Sequence, residues 1–285
     1  MSDAKGVKLF GVVGNPVKHS ISPRLHQFWY DELALNARYV ALEMADTSPI
    51  EDFRALSRSG FSGLNVTLPY KHDALACAAK ASDAARRIGA ANTLTKSDDE
   101  SDPHAWMAHN TDITGFLWSF DLMVPGDGDE VVLVGAGGAA RAVAAGLSDR
   151  GYKLIILNRT PERAEEMISS LNLPKARVFP LETLSDFAAV APIVVNTISL
   201  GHSGGSLDIP ENEDGLFVDI SYGKAAEATL ANAEKAGWRT LDGLPMLVGQ
   251  AADAFDLWFK QKPDRISALR ACREWTGTKE TLVSL

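Results

Sequence analysis

Cysteine is scarce in this chain, and the scarcity excludes several kinds of site. Only Cys77 and Cys272 occur among 285 residues, and their spacing fits no metal-binding motif. The six histidines form neither an HxxxH nor an HExxH pattern, which argues against a zinc site. We therefore expect two reduced thiols in a cytoplasmic protein and no metal.

Long apolar runs and an excess of basic residues are also missing. No stretch approaches the roughly 18 apolar residues of a membrane helix, and we expect no signal peptide at the start of the sequence. The formal net charge is −9, whereas nucleic-acid binders normally present a basic face. Apolar residues nevertheless make up 46% of the chain, enough for sizeable cores, and the length favours two domains.

Short apolar segments alternate with helix-like segments along most of the chain. Ser22 and Pro23 predict an N-cap and a first helical residue, and a later helix is predicted from about 72 to 81. The acidic insert 97–104 is typical of an exposed hairpin tip or loop. This alternation indicates a parallel α/β architecture. The predicted strands lie near 7–13, 39–43, 63–66, 131–134, 153–157, 176–179, 193–196, 216–220 and 238–241.

A glycine-rich turn follows the apolar strand 131–134. Gly135, Gly137 and Ala140 fit the G-x-G-x-x-G/A pattern, and the turn opens a predicted helix inside a strand–helix–strand unit. The first glycine permits the tight turn, and the second lets the backbone approach a pyrophosphate. Helix amide groups then face the anion. We predict that residues 135–139, Gly-Ala-Gly-Gly-Ala, bind a dinucleotide.

The end of the next strand indicates which dinucleotide. NAD-binding proteins usually place an acidic residue there to bind the ribose 2′-hydroxyl. This chain instead has Asn158, Arg159, Thr160 and, soon after, Arg163. Because arginine can bind a 2′-phosphate through two hydrogen bonds, the sequence favours NADP.

Lys71 stands out among the remaining polar residues. It follows Pro69 in a segment that contains Asn65 and Thr67, whose side chains could bind the hydroxyls of a polar substrate. Lysine acts as an acid or a base when its surroundings adjust its pKa. Oxidation of a secondary alcohol requires loss of a hydroxyl proton, so Lys71 is a candidate proton acceptor.

The separated motifs together resemble the shikimate dehydrogenase family, NADP-dependent enzymes of aromatic biosynthesis, and the resemblance covers nearly the whole chain. The motifs are GNPVKHSISP at 14–23, GLNVTLPYK at 63–71, GAANT at 89–93, NTD at 110–112, the loop at 135–140, NRT at 158–160 and DGLPMLVGQA at 242–251.

The resemblance implies a role for each matching residue. Lys71 corresponds to the catalytic lysine and Asp112 to its aspartate partner. Ser20 and Ser22 correspond to the pair that binds the substrate carboxylate. The other implied substrate contacts are Thr67, Asn92, Gln250 and Tyr222, and the residues that line the nicotinamide pocket are Ile220 and Gly243.

Several of these residues also have a purely structural interpretation. Ser22 and Asp112 could cap helices, Asn92 could be a turn residue, Tyr222 a core aromatic, and Gln250 an exposed helical residue. Their occurrence together within the motifs favours the functional interpretation. The chain departs from the family pattern at Gln27, His109, His202 and Lys224 and in the acidic insert, and none of these changes removes a catalytic residue.

We predict a two-domain α/β protein with the active site in the cleft between the domains. Residues 1–111 and 246–285 are expected to form a mainly parallel substrate-binding domain, and residues 112–245 a Rossmann NADP-binding domain. The implied activity is reversible reduction of 3-dehydroshikimate to shikimate by a monomer or homodimer. Alternatives are a quinate/shikimate dehydrogenase, a paralogue that uses NAD or a related cyclohexene carboxylate, and a non-catalytic ligand sensor. A short-chain dehydrogenase is disfavoured because the sequence has no Tyr-x-x-x-Lys pair.

Overall fold

The computed structural model describes residues 6–45, 47–99, 101–124, 130–198 and 205–278. The described residues of Met1–Thr111 and Gln250–Cys272 form one compact unit, and those of Asp112–Gly249 and Arg273–Leu285 form a second. Compared with the expected boundaries, the chain returns to the first unit at Gln250 rather than at 246. The described residues after 272 group with the second unit.

A mixed six-stranded sheet forms the centre of the first unit. Its strands are β1 (Lys8–Gly14), β2 (Ala37–Glu43), β3 (Phe61–Val66), β4 (Lys80–Ala81), β5 (Thr93–Lys96) and β6 (Trp106–His109). The strand order is β2-β1-β3-β5-β6-β4. β1 pairs in parallel with β2 and β3, β5 runs antiparallel to both β3 and β6, and β4 is parallel to β6.

The helices of the first unit cover this sheet. They are α1 (Ser22–Glu32), α2 (Pro49–Arg58), α3 (Lys71–Ala76) and α4 (Asp83–Ile88). One core cluster joins β3, β5 and β6 to α2, whose Phe53 is fully buried and accepts a hydrogen bond of 2.7 Å from the Trp106 indole at its carbonyl oxygen.

Two expectations for this unit have different outcomes. The insert 97–104 connects the antiparallel strands β5 and β6, so its prediction as a hairpin connection is confirmed. The helix predicted to run to residue 81 is wrong at its end, because α3 stops at Ala76 and Lys80–Ala81 form β4. The Ala79 amide donates to the Trp106 carbonyl over 2.9 Å, so sheet pairing outweighs the helix propensity of the alanines.

The second unit contains a parallel sheet with the doubly wound strand order. Its strands are β7 (Glu130–Val134), β8 (Lys153–Asn158), β9 (Ala176–Pro180), β10 (Ile193–Asn196), β11 (Leu216–Asp219) and β12 (Arg239–Leu241). The order is β12-β11-β10-β7-β8-β9, and every pairing is parallel. The order reverses between β7 and β10, and ligands of such sheets bind beyond the carboxyl ends of the strands at this point.

Helices pack around this sheet as the alternating pattern predicts. They are α5 (Asp112–Asp121), α6 (Gly138–Asp149), α7 (Pro161–Leu171), α8 (Leu184–Ala188) and α9 (Lys224–Lys235). Two further helices, α10 (Leu244–Phe259) and α11 (Arg265–Thr276), contribute residues to both units. Among the described residues, no helix combines the length and the apolar character needed to span a membrane.

Candidate active site

The glycine-rich turn joins β7 to α6 at the point where the strand order reverses. Gly135 has φ of +110°, a conformation that L side chains rarely adopt, and a Cβ there would lie 2.4 Å from Thr197 Oγ1. Gly137 precedes α6, and a Cβ at Gly137 or Gly138 would meet no atom within 4 Å. Ala136 and Ala139 are half-buried. An open space therefore adjoins the amino terminus of α6, which fits a bound pyrophosphate.

Residues of the NRT motif follow β8, the neighbour of β7. Asn158 ends the strand, and its side-chain amide donates to the Thr160 carbonyl over 2.7 Å. Thr160 occupies the N-cap position of α7, without a capping bond from its side chain. Arg159 and Arg163 are exposed and form no ion pair in the described part of the chain. Their guanidinium groups are therefore accessible to an anion, which fits a 2′-phosphate.

Ile220 and Gly243 lie against one another in the second unit. A Cβ at Gly243 would lie 1.9 Å from the Ile220 carbonyl oxygen, so only glycine allows this approach. The Gly243 amide also donates to the Ser221 carbonyl over 2.8 Å. Tyr222 is half-buried in the same loop, and Lys224, a departure from the family pattern, begins α9.

The side chains of Asn92 and Gln250, for which the resemblance implies substrate contacts, lie close together in the first unit. The Asn92 Nδ2 atom lies 3.3 Å from Gln250 Oε1 and 3.0 Å from Thr111 Oγ1. Asn92 Oδ1 accepts from the Thr111 amide over 2.8 Å, and Thr111 Oγ1 donates to the Gln250 carbonyl over 3.0 Å. Thr111 lies inside the NTD motif, but the sequence gives no signal that it joins the other two residues.

Lys71 begins α3, directly after the loop that leaves β3. Its carbonyl accepts from the Ala91 amide over 2.8 Å, which connects the start of α3 to the GAANT segment. Thr67 is half-buried, and its amide donates to the Val13 carbonyl over 2.8 Å. Backbone hydrogen bonds at both residues therefore fix the main chain that carries the Lys71 and Thr67 side chains.

Asn65 differs from the expectation that its side chain is available to a substrate. It is buried, and Oδ1 accepts from the Tyr39 hydroxyl over 2.8 Å. Its Nδ2 atom donates to Thr93 Oγ1 over 3.0 Å and to the Asn92 carbonyl over 3.3 Å. Asn65 thus connects β2, β3 and the Asn92 segment inside the unit.

The two serines lie at the beginning of α1. The prediction of Ser22 as the N-cap is wrong by one residue, because the N-cap is Ile21 and Ser22 is the first helical residue. Ser20 Oγ accepts from the amide of Ser22 over 3.2 Å, which is a turn contact between residues two positions apart and not a capping bond of α1. The two hydroxyl-bearing residues are held close together, Ser20 half-buried and Ser22 buried.

Asp112 ends the NTD motif, and His109 directly precedes it. Asp112 is buried and is the first residue of α5, in the second unit. His109 ends β6 in the first unit, with Nε2 3.2 Å from Thr95 Oγ1. Burial, and then the charge of Lys260, lower the pKa of His109. His202, another departure from the family pattern, lies outside the described residues.

The doubly wound sheet, its glycine turn and the arginines after β8 define a Rossmann-type dinucleotide-binding protein. The chain matches three family models, described as shikimate dehydrogenase substrate binding domain over residues 12–94, shikimate/quinate 5-dehydrogenase over 123–246, and shikimate 5′-dehydrogenase C-terminal domain over 243–265. It belongs to the shikimate dehydrogenase family.

Individual relatives agree with this membership. A protein of Hyphomonas neptunium named shikimate dehydrogenase (NADP(+)) is 46% identical over 267 residues, which cover 93% of this chain and 97% of the relative. Shikimate 5-dehydrogenase of Thermus thermophilus, solved with NADP(H) and shikimate, is 33% identical with a TM-score of 0.78, and the match covers 94% and 99% of the two chains. Quinate dehydrogenase of Corynebacterium glutamicum, solved with NAD, is 26% identical with a TM-score of 0.80 and covers 94% and 99%.

Proposed function

We propose that this protein is an NADP-dependent shikimate dehydrogenase that reversibly reduces 3-dehydroshikimate to shikimate in the biosynthesis of aromatic amino acids. The observation that carries the proposal is the 46% identity, over 93% of the chain, to a relative named shikimate dehydrogenase (NADP(+)). The exposed Arg159 and Arg163, and the amide rather than carboxylate at Asn158, support NADP as the cofactor.

Lys71 is the proposed acid–base residue. In the reducing direction its ammonium donates a proton to the oxygen of the new hydroxyl, and in the oxidising direction the neutral amine accepts it. Asp112 is proposed to orient the Lys71 ammonium and to stabilise its charged form. When bound, NADP supplies the hydride chemistry, and the protein supplies binding and orientation.

The remaining residues are proposed to bind the substrate. Ser20 and Ser22 offer hydroxyl groups to its carboxylate, and their neighbouring positions at the start of α1 support this role. Thr67 and the joined pair Asn92 and Gln250 offer donors and acceptors for the ring hydroxyls. Tyr222 is proposed to contact the substrate from the loop before α9.

We assign substrate binding to residues 1–111 and 246–285 and NADP binding to residues 112–245. The match of residues 12–94 to a substrate binding domain supports the first assignment, and the doubly wound sheet supports the second. We further propose a cytoplasmic monomer or homodimer. The thiol state of Cys77 and Cys272, the second of which is buried, is consistent with a reducing compartment.

The second candidate function is a quinate/shikimate dehydrogenase that uses NAD. The likeness to quinate dehydrogenase of Corynebacterium glutamicum, solved with NAD, favours this candidate. Initial rates with shikimate and quinate, each with NADP⁺ and NAD⁺, distinguish the two. We expect the highest kcat/KM for shikimate with NADP⁺. A higher kcat/KM for quinate with NAD⁺ would reverse the assignment, and absence of turnover with ligand binding intact would indicate a sensor.

A further inference from the structure

Asp219 is a buried carboxylate at the carboxyl end of β11. The residue is 1% exposed, and no lysine or arginine pairs with it in the described ranges. Both oxygens are nevertheless bound, because Oδ2 accepts from Asn196 Nδ2 over 2.9 Å and Oδ1 accepts from the Ser221 amide over 2.8 Å. Burial raises the pKa of Asp219, and the Ser221 amide opposes this effect. Burial of a carboxylate without a neighbouring cation costs free energy. Joining two strands does not by itself account for an acidic residue at this position.

Asn196 extends this network to the neighbouring strand. It ends β10, where it lies opposite Asp219 on one side and Val134 on the other. Its Oδ1 accepts from the Ile198 amide over 3.1 Å, and its backbone carbonyl accepts from the Ile220 amide over 3.0 Å. The segments that follow β10 and β11 are therefore fixed to one another by side chains as well as by the sheet.

The hydrogen bonds of Asn196 and Asp219 connect, on two sides, to residues proposed to bind the cofactor. On one side, Thr197 Oγ1 donates to the Val134 carbonyl over 2.7 Å and lies where a side chain at Gly135 would be. On the other, Asp219 holds the Ser221 amide, and the Ser221 carbonyl accepts from Gly243. The carbonyl of Ile220 is thereby held against Gly243.

We propose that Asp219, together with Asn196, is a positioning residue that holds the Ile220–Tyr222 segment for the nicotinamide end of the cofactor. The inference rests on the proposed function, because it assumes that NADP binds this sheet. A positioning role differs from a general structural role in its effect on the two ends of the cofactor. Loss of the network should affect the nicotinamide end and leave the adenosine 2′-phosphate end, near Arg159 and Arg163, unchanged.

The experiment compares two ligands on purified variants by titration calorimetry. NADP⁺ carries both ends, whereas 2′,5′-ADP carries the 2′-phosphate and lacks the nicotinamide. In Asp219→Asn, an NH₂ group faces the NH₂ group of Asn196, so the contact between them is lost. We expect the Kd for NADP⁺ to rise about 10-fold, and the Kd for 2′,5′-ADP to stay within about twofold of the wild-type value.

A swapped double variant, Asn196→Asp with Asp219→Asn, provides a partial rescue. It places a carboxylate opposite an amide again, but it also replaces the Asn196 Nδ2 atom, which donates to the Ile198 carbonyl over 3.2 Å, by an oxygen. We therefore expect a smaller loss of NADP⁺ affinity than in Asp219→Asn. If Asp219→Asn does not fold, the swapped variant carries the test alone, through the ratio of its Kd values for NADP⁺ and 2′,5′-ADP. A folded swapped variant that loses affinity for both ligands equally overturns the proposal.

Other outcomes separate this inference from the function on which it rests. An equal loss of affinity for NADP⁺ and 2′,5′-ADP in Asp219→Asn, or no loss for either, overturns the positioning role. Failure of the wild-type protein to bind 2′,5′-ADP instead overturns the assignment of NADP. The ratio of the Kd for NADP⁺ to the Kd for 2′,5′-ADP in the variants therefore tests the role of Asp219. The Kd of the wild-type protein for 2′,5′-ADP tests the assignment of NADP as the cofactor.

Discussion

Asn92 and Thr111 bind one another through both side chain and backbone. The Thr111 amide donates to Asn92 Oδ1 over 2.8 Å, and Asn92 Nδ2 lies 3.0 Å from Thr111 Oγ1. These contacts fix which end of the Asn92 amide faces Gln250. The orientation of the Asn92 side chain and the position of the Gln250 backbone therefore depend in part on a threonine with no proposed contact to the substrate.

Replacement of Thr111 by valine tests this dependence. Valine keeps the shape and the backbone amide, but it removes one of two contacts of Asn92 Nδ2, the other being Gln250 Oε1, and the side-chain hydrogen bond to the Gln250 carbonyl. Because an ordinary hydrogen bond contributes about 0.5–1.5 kcal/mol, we expect the KM for shikimate to rise about 2- to 10-fold. The Kd for NADP⁺ should remain unchanged, and Thr111→Ser should restore the KM.

Thr95→Val is the matched control for this threonine. Thr95 lies in β5, and its hydroxyl contacts His109 rather than Asn92 or Gln250. We expect it to leave the KM for shikimate near the wild-type value. A similar rise in KM for both valine variants would mean that the effect is a general loss of packing in the unit.

Lys71→Ala should remove the proton-transfer step while retaining most of the binding site. General acid–base catalysis typically contributes about 10²–10⁴-fold, so we expect kcat to fall by about 10³-fold with a much smaller change in substrate Kd. Lys71→Arg should also be inactive, because arginine keeps the charge but does not release its proton near neutral pH. Lys80→Ala, at an exposed lysine of β4, serves as the control. Near-normal turnover of Lys71→Ala would remove this residue from the mechanism.

Arg159 and Arg163 should discriminate between the two dinucleotides. Hydrogen bonds to charged groups contribute about 1.5–3 kcal/mol, so Arg159→Ser combined with Arg163→Ser should raise the Kd for NADP⁺ at least about 10-fold. The Kd for NAD⁺ should stay constant, since NAD lacks the 2′-phosphate. Arg58→Ser, an exposed arginine at the end of α2, controls for the loss of surface charge. Parallel weakening of both cofactors would contradict a role in recognising the phosphate.

Local signals predict the cofactor half of the protein well, and the reason is physical. A buried parallel strand such as β7 is apolar throughout most of its length, and a glycine turn followed by a helix lies within a few residues of it. The contacts of Thr111 with Gln250 and of Asn196 with Asp219 join residues 139 and 23 positions apart. Such contacts depend on strand register and on the return of a distant helix, and neither is encoded in a short motif.

The same limit explains why the sequence suggests Asn65 as a ligand and gives no sign of β4. Both residues of β4 lie in an alanine-rich segment with helical propensity, and only pairing with β6 makes them a strand. The Asn65 side chain is bound by Tyr39 and Thr93 from two other strands. Some polar residues of a motif therefore bind neighbouring strands and hold the site in place, whereas others face a ligand. Sequence alone does not distinguish these two kinds of residue.

His26 should make the stability of the protein depend on pH below neutrality. Its ring lies in the core of the first unit, stacked on Tyr39 with ring centroids 4.2 Å apart. Burial lowers the pKa of His26 to about 3, against a smaller opposing effect of Asn65. An unfolded histidine has a pKa of about 6.5, so between these values the unfolded chain binds a proton that the folded chain does not. Stability from this group is complete above about pH 6.5 and falls as the pH drops toward 3.

Urea unfolding of the wild type and of His26→Phe measures this contribution. At pH 5 the linkage amounts to about 2 kcal/mol, and by pH 3 it reaches about 4 kcal/mol. Phenylalanine can stack on Tyr39 but does not titrate, so the difference in unfolding free energy between pH 7.5 and pH 5 should shrink by about 2 kcal/mol in the variant. His104→Phe, at an exposed histidine, should keep the wild-type difference. Because the titrating groups other than His26 and His104 are common to all three proteins, an unchanged difference in His26→Phe would show that His26 is protonated at similar pH in the folded and unfolded chains.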